Sequence, residues 1–313
     1  MPLPTDETTL KTSQDLVTQL HTAFGSHPGF RATHARGLLL DGTFSPSAAA
    51  ASLSSAQHFN QPSTPLTIRF SNSTGLPQIP DTDPNANPRG IAIRFNLAEH
   101  VHTDIIAHST PFFPTRTGAE FLQLLQSLGA PPPKEGEPSA AEKFFGSHPA
   151  ALAFAQAPKP APSSFAREAY YGVNAFKLVN AEGKDTYFRY RVIPTAGVEN
   201  LDEAALKGKS DSFLYEELPT RLKSGPVLFK IMAQIAEEGD IIDDATVHWP
   251  DSRKLVELGE VRVESVIEEN AKEQKKIIFD PIPRIKGVEP SDDPLLEVRA
   301  AVYLISGKER RAA

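Results

Sequence analysis

Apolar residues recur at helical spacing near the start of the chain, where Leu10, Leu16, Val17, Leu20 and Phe24 share one face and Gly25 ends the run, so residues 8–25 predict an amphipathic helix. The alanine-rich stretch 46–58, after Ser45-Pro46, predicts a second helix, and Phe121, Leu122, Leu124 and Leu125 predict another over 117–128. Between them, residues 65–71 and 90–96 have the alternating or continuous apolar character of strands around a turn-rich segment, and 104–107 adds a short third. Two proline-rich segments, 129–136 and 157–164, flank an alanine-rich helix at 139–154. They read as surface loops rather than domain linkers, because the strand pattern resumes at 172–179, 187–193, 227–235 and 259–266. A final helix runs over 293–308, opened by Asp292-Asp293 with Pro294 as its first helical position. Strands interrupted by helices without regular alternation predict an antiparallel sheet in an α+β domain. A barrel would account for the missing edges, but the pattern alone does not close one.

Composition narrows the chemistry. At 313 residues, with 40% hydrophobic and 23% charged positions, the chain is an ordinary globular one able to bury a large core. The absence of cysteine excludes disulfides, thiolate-ligated haem, iron–sulfur clusters and cysteine zinc sites. A net charge of −7 disfavours nucleic acid, and the arginines that stand out are scattered in a way that suits convergence on one buried anion. No window approaches 18 consecutive apolar residues, which argues against a membrane span. Residues 1–7 lack a basic region followed by an apolar run, so the expected location is cytoplasmic.

One pair near the end carries a specific chemistry. Arg299 precedes Tyr303 by four residues, which on a helix puts both side chains on one face. A guanidinium beside a phenol favours the phenolate, a hard anionic oxygen suited to ferric iron. By itself this pair also fits an ordinary surface helix. A second region decides between the two: Arg31-Ala32-Thr33-His34-Ala35-Arg36-Gly37, then Thr67-Ile68-Arg69-Phe70-Ser71, then Asn87-Pro88-Arg89-Gly90 leading to Arg94-Phe95. With these stretches the chain resembles the haem catalases, matching their distal-histidine segment, their Arg-Phe-Ser strand, their Asp-Pro-Arg-Gly strand and their proximal Arg-x-x-x-Tyr helix. Val247-His248-Trp249-Pro250, Phe279-Asp280-Pro281 and Gly287-Val288-Glu289-Pro290-Ser291 also look like landmarks of that family, in its order.

The resemblance implies an α+β fold, a catalase-like eight-stranded antiparallel β-barrel with flanking helices and haem b (iron protoporphyrin IX) at its flank, with residues 1–313 forming a single catalase-core domain. It implies His34 as the distal proton carrier and Ser71 as the serine that orients its ring. Arg31, Arg69 and Arg310 fall at positions that meet the haem propionates; their bland alternative is solvated surface charge, and Arg310 lies near a terminus where chains fray. Tyr303 takes the proximal ligand position, as is general in catalases, with Arg299 holding it as phenolate. Phe113 and Phe121 match two distal-side phenylalanines, although as core aromatics they need no such role.

The chain also departs from the family pattern. The distal asparagine segment is replaced by Ala107-His108-Ser109-Thr110-Pro111, so His108 stands where an amide steadies peroxide. Thr33 stands where catalases usually carry valine, a point shared with catalase-like allene oxide synthases, and its hydroxyl could bond the distal imidazole. The match covers only the catalase core, and catalase-related peroxidases look most similar. The expectation is a haem peroxidase that reduces organic hydroperoxides with a small-molecule electron donor and has weak activity on hydrogen peroxide. A fatty acid hydroperoxide isomerase or dehydrase is the alternative, a haem-transfer protein a third. Homo-oligomerisation stays open.

Overall fold

The computed structural model describes residues 2–313. Eight strands form a closed ring: β1 (Gly37–Pro46), β2 (Thr64–Ser71), β3 (Gly90–Ala98), β4 (Val101–His108), β5 (Tyr170–Tyr171), β6 (Asp185–Pro194), β7 (Val227–Ile235) and β8 (Leu255–Val266). Each pairs antiparallel with the next, and β8 returns to β1 through Phe44↔Val261. Closure leaves no exposed sheet edge within the ring. Alternation with period two sends Leu66, Ile68 and Phe70 of β2, Ile91, Ile93 and Phe95 of β3, and Ile105 and Ala107 of β4 into one apolar cluster with Phe229, Ile231, Val261 and Val263. The intervening residues, Arg69, Ser71, Gly90 and His108 among them, therefore face outward.

Register makes that outer face a site. Gly37, Ser71, Gly90, His108, Tyr171 and Arg191 are successive cross-strand partners, forming one row around the ring. The seam at β5 is thin, since β4 meets it through the single pair His108↔Tyr171.

Helices cover this face: α1 (Glu7–Phe24), α2 (Gly118–Leu128), α3 (Asn270–Lys276) and α4 (Leu295–Ala312). Asp6 caps α1 by accepting the Thr9 N–H at 2.7 Å, and Thr117 and Glu120 form a reciprocal capping box on α2. Leu16, Val17 and Leu20 of α1 pack with Val298 and Val302 of α4 and with Phe121, Leu122 and Leu125 of α2. Each such buried side chain contributes about 1.5–3 kcal/mol. A Cβ at Gly118 would lie 2.6 Å from Val298 Cγ1, so a glycine sits where α2 and α4 approach most closely. Among the described residues no helix is long and apolar enough to cross a membrane.

Several boundaries differ from the sequence expectations. Strand β1 was not expected from the sequence; its register against β8 shifts between Asp41 and Gly42, where β8 carries one extra residue. The expected helix 46–58 is only Ala48–Leu53, because Ser54 turns away to donate its hydroxyl to the Gly287 carbonyl at 2.7 Å and a separate 3₁₀ turn follows at Gln57–Phe59. Helix 139–154 is two helices, Ala140–Ser147 and Pro149–Gln156; Pro149 lacks the N–H that continuity needs and opens the second. Of the expected strand 172–179 only Phe176–Val179 forms, pairing with the other end of β6 and with Val288–Pro290, while β5 lies just before it. Pro294 occupies the cap before α4 rather than its first turn, and α4 extends to Ala312.

His58, in the Gln57–Phe59 turn, is wedged among Phe44, Phe59 and Phe95 with both ring nitrogens unpartnered. Burial pushes this imidazole from 6.5 down to about 3. The unfolded chain therefore binds more protons than the folded one between these values, and stability is lost as pH falls through that window. Replacing His58→Leu is expected to lessen the drop in urea midpoint between pH 7 and pH 4.5; a drop equal to that of the unaltered protein would refute this role.

Candidate active site

His34 lies in the turn before β1 with φ at 53°, a left-handed conformation uncommon outside glycine. Arg69 holds this turn in place, donating from Nη2 to the carbonyls of His34 at 2.9 Å and Ala35 at 3.2 Å, while the Ala35 N–H donates to the Thr74 carbonyl at 3.1 Å. The ring Nδ1 lies 3.1 Å from Ser71 Oγ. A Cβ at Gly90 would fall 2.7 Å from Ser71 Oγ and 3.0 Å from His34 Nδ1, so only glycine leaves this pair its space. Burial, reinforced by the Arg69 and Arg31 cations, pushes the His34 imidazole down to about 4. The Thr33 hydroxyl makes no hydrogen bond to that ring among the described residues; Ser71 already occupies Nδ1. The contact expected of Thr33 is thus not made.

His108 occupies the same cross-strand row. Its Nδ1 accepts the Thr110 N–H at 3.2 Å, which assigns the ring proton to Nε2, a buried atom with no partner. Burial pushes this imidazole down to about 3, aided by the charges of His34, Arg299 and Lys159. Phe113 stands 6.4 Å from the His108 ring and 5.1 Å from Phe121. Both phenylalanines thus adjoin the pocket, although Phe113 also packs on Val173, Ala245 and Leu295 and Phe121 on the helical cluster.

On α4, one helical turn brings Arg299 onto Tyr303, and Nε and Nη2 donate to the phenol oxygen at 3.3 and 3.1 Å. The third guanidinium nitrogen donates to Asn174 Oδ1, Asn174 Nδ2 donates to Asp293 Oδ2 at 2.7 Å, and Asp293 Oδ1 accepts the Leu295 N–H at 2.9 Å. A buried carboxylate is thereby wired through an amide and a guanidinium to a phenol. Burial raises the Asp293 carboxyl, opposed by these hydrogen bonds and by Arg299. Arg299 depresses both His34 and His108, which ties the two halves into one electrostatic site. The Ala32 N–H donates to Ser306 Oγ at 3.1 Å, joining the His34 turn to α4 directly.

Arg31, Arg69 and Arg310 converge on the end of α3. Arg31 donates to the Gln274 carbonyl at 3.3 Å and the Ile277 carbonyl at 3.1 Å, Arg69 Nε to Gln274 Oε1 at 2.9 Å, and Arg310 to the carbonyls of Lys275 at 3.1 Å and Ile277 at 2.6 Å. Among the described residues none of the three is paired with a carboxylate. Burial lowers the pKa of all three, and the Arg69 and Arg310 cations lower that of Arg31 further. Gathering uncompensated cations costs several kcal/mol per ion. A ligand carrying two carboxylates would remove that cost, and the Tyr303 oxygen under double guanidinium donation is of a type that could ligate iron; the residues present fit a haem. Arg310, which sequence position alone marks as frayed, is 3% exposed.

Sequence reasoning missed Asn174, Gln274 and Gly90, and read Asp293 only as an acidic helix opener. Asn174 lies 125 positions from Arg299 and carries no local signal. The glycine in Asn-Pro-Arg-Gly could have been found by asking which side chain needs the space.

Residues 20–312 match the family described as Catalase. A catalase-related peroxidase of Mycolicibacterium paratuberculosis is 35% identical over 289 residues, covering 91% of this chain and 90% of that protein. Another from Synechococcus elongatus is 28% identical over 304 residues, covering 96% and 88%. A catalase of Pseudomonas syringae pv. syringae is 28% identical over 289 residues, which span 87% of this chain but 56% of that longer protein. The crystal structure of a fungal catalase superposes with a TM-score of 0.79 over 99% of this chain and 63% of the other, at 20% identity, a likeness of fold. With its eight-stranded barrel and a match spanning nearly its whole length, the chain belongs to the catalase family.

Proposed function

We propose that this catalase-core domain is a haem b peroxidase that reduces organic hydroperoxides at the expense of a small one-electron donor, with weak turnover of hydrogen peroxide alone. The observation that carries this reading is the pair of partly buried imidazoles held neutral, His34 and His108, sharing a site with the Arg299-bound phenol. The relatives with which it shares most of its length are described as catalase-related peroxidases. Bound haem would supply a redox-active iron that accepts two oxidising equivalents from the hydroperoxide and passes them to the donor.

The chain's own residues do the rest. Tyr303 Oη would ligate the iron as an anion held by Arg299. Arg31, Arg69 and Arg310 would pair with the two propionates, each exchanging a carbonyl acceptor for a charged one. Ser71 occupies His34 Nδ1, leaving Nε2 to take the proton from the near peroxide oxygen and return it to the far one, which departs as an alcohol. His108 Nε2–H would donate to the peroxide from beside it. An imidazole donor lies on a longer side chain than the amide it replaces, and this supports weak hydrogen peroxide dismutation. The dehydrase alternative rests on Thr33 and on an open, apolar channel; the Thr33 hydroxyl makes no hydrogen bond to the His34 ring, and consumption of a lipid hydroperoxide without any electron donor would favour it.

Four outcomes follow from this assignment. Tyr303→Phe is expected to lower haem retention and shift the ferric Soret band, and an unchanged spectrum would remove Tyr303 as ligand. His34→Ala should cut hydroperoxide turnover about 100- to 10,000-fold in stopped-flow assays. Because the His34 base is neutral until about pH 4, kcat/KM of the unaltered enzyme should stay flat from pH 8 to near 5 and fall below that as the ring protonates. A decline already complete by pH 6 would contradict this. Finally, Asn174→Ala leaves the Asp293 carboxylate without its side-chain donor and should cost about 1–3 kcal/mol in chemical denaturation.

A further inference from the structure

A groove that the proposed chemistry does not use opens at the outer end of the chain leading to His34. It holds about 410 Å³, within the roughly 300–1,000 Å³ of small-molecule sites, and lies between the turn at 27–30 and the segment 76–83. Phe30 from the first and Leu76 from the second line it, 46% and 39% exposed. A single exposed apolar side chain needs no explanation, but two from separate segments bordering one cavity do. Both walls are fixed. The Phe30 N–H donates to the His27 carbonyl at 3.0 Å, and Arg36 donates to the Ile79 carbonyl at 2.5 Å. A Cβ at Gly75 would lie 2.4 Å from the Ala32 carbonyl oxygen, so the second wall sits directly on the chain that carries His34.

The polar rim says what the groove would take. His27 Nε2 donates to the Phe24 carbonyl at 2.9 Å, which leaves Nδ1 unprotonated and able to accept. Asp83 uses Oδ1 for the Asn85 N–H at 2.7 Å and Asn85 Nδ2 at 3.0 Å, and its Oδ2 has no partner among the described residues. Gln78 adds an amide, and no lysine or arginine is among the lining residues. Apolar walls edged by an imidazole acceptor and a carboxylate suit a neutral ring that carries an O–H, and they disfavour an anion. Position supplies the rest. Phe30 immediately precedes Arg31 of the arginine cradle and stands four residues before His34, a span of at most about 14 Å. A molecule held here is close to the redox site yet outside the hydroperoxide pocket.

We propose that this groove binds the electron donor, a neutral phenol whose ring packs on Phe30 and Leu76 while its hydroxyl donates to His27 Nδ1. This deepens the peroxidase assignment by naming the donor class, and it rests on that assignment. Each phenol gives one electron to the oxidised site and its hydroxyl proton to His27 Nδ1, which passes it to water. Two phenols serve one hydroperoxide: two electrons and two protons reduce it to the alcohol and water, and two phenoxyl radicals leave. Asp83 repels anions, so an anionic donor such as ferrocyanide reacts from elsewhere on the surface.

The test reads donor binding apart from hydroperoxide chemistry. Para-fluorophenol is titrated into the haem-loaded protein and followed by fluorine NMR, and steady-state assays pair cumene hydroperoxide with guaiacol or with ferrocyanide. Combining Phe30→Ser with Leu76→Ser is expected to weaken para-fluorophenol binding about 10-fold and to raise the guaiacol KM by a similar factor. The KM for cumene hydroperoxide and the rate with ferrocyanide should not move. Far-ultraviolet dichroism and haem content report folding, which two exposed side chains should leave intact. Unchanged para-fluorophenol affinity in the double variant, or an equal loss with guaiacol and ferrocyanide, overturns the proposal. So does self-association of the unaltered chain that the double variant abolishes in sedimentation, since a second copy would then fill the groove. A protein that binds para-fluorophenol through Phe30 and Leu76 yet reduces no hydroperoxide would fail as a peroxidase while retaining this site; one whose guaiacol-dependent reduction of cumene hydroperoxide survives the double variant unchanged would do the reverse.

Discussion

The Arg69 guanidinium is the interaction on which the site depends. From the outer face of β2 it reaches past Gly37, where any Cβ would lie 2.2 Å from its Nη2, and grips the two carbonyls of the His34 turn. Its third donor meets Gln274, which in turn donates to the Gly37 carbonyl and to Asn270, and Asn270 brackets Leu39 of β1 from both its N–H and its carbonyl. One cation thereby fixes a strained histidine and docks α3 against the barrel. Neutral carbonyls solvate that charge only in part, and Arg31 and Arg310 stand near it with the same deficit. The protein thus maintains a concentration of positive charge that a dianionic ligand relieves. Such a ligand stabilises the fold by mass action in addition to supplying chemistry.

The two sides of the site solve opposite electrostatic problems. On the α4 side, the Tyr303 oxygen accepts two guanidinium donors, with the Asn174–Asp293 pair behind them. On the barrel side, burial and surrounding cations keep both imidazoles neutral, the state a proton acceptor requires. Arg299 contributes to both. Its guanidinium holds the phenol and its charge also disfavours protonation of His34 and His108, so a change at Arg299 would reach both sides of the site.

The fold was legible where one physical rule acted alone. Strands β2 and β3 show clean alternation, and α1, α2 and α4 carry apolar stripes, so their existence could be read from spacing. β1 was not, and its register shift against β8 between Asp41 and Gly42 shows only in the pairing. The broken helix at His148-Pro149 had a local cause in the sequence that the alanine content masked. In the site, Arg299 and Tyr303 were visible as a helical pair, while His34, Ser71, Arg31 and Arg69 needed family resemblance. Asn174 and Gln274 were not legible at all, since each matters through a partner far away in the chain. Thr33 shows the converse limit: a suggestive residue type whose hydroxyl makes no hydrogen bond to the His34 ring, although only Nδ1 is occupied by Ser71.

The ring of strands is not uniformly strong. Between β4 and β5 it is joined through one residue pair, His108↔Tyr171, and between β5 and β6 through two, whereas the β2–β3 and β3–β4 ladders run for six or more. Cooperative opening starts where the fewest bonds must break. Amide protons along this seam should therefore exchange with solvent before those of β2 and β3, and each excursion would carry His108 with it. The same thin join that sets one imidazole at the pocket also makes it the part of the pocket most able to breathe.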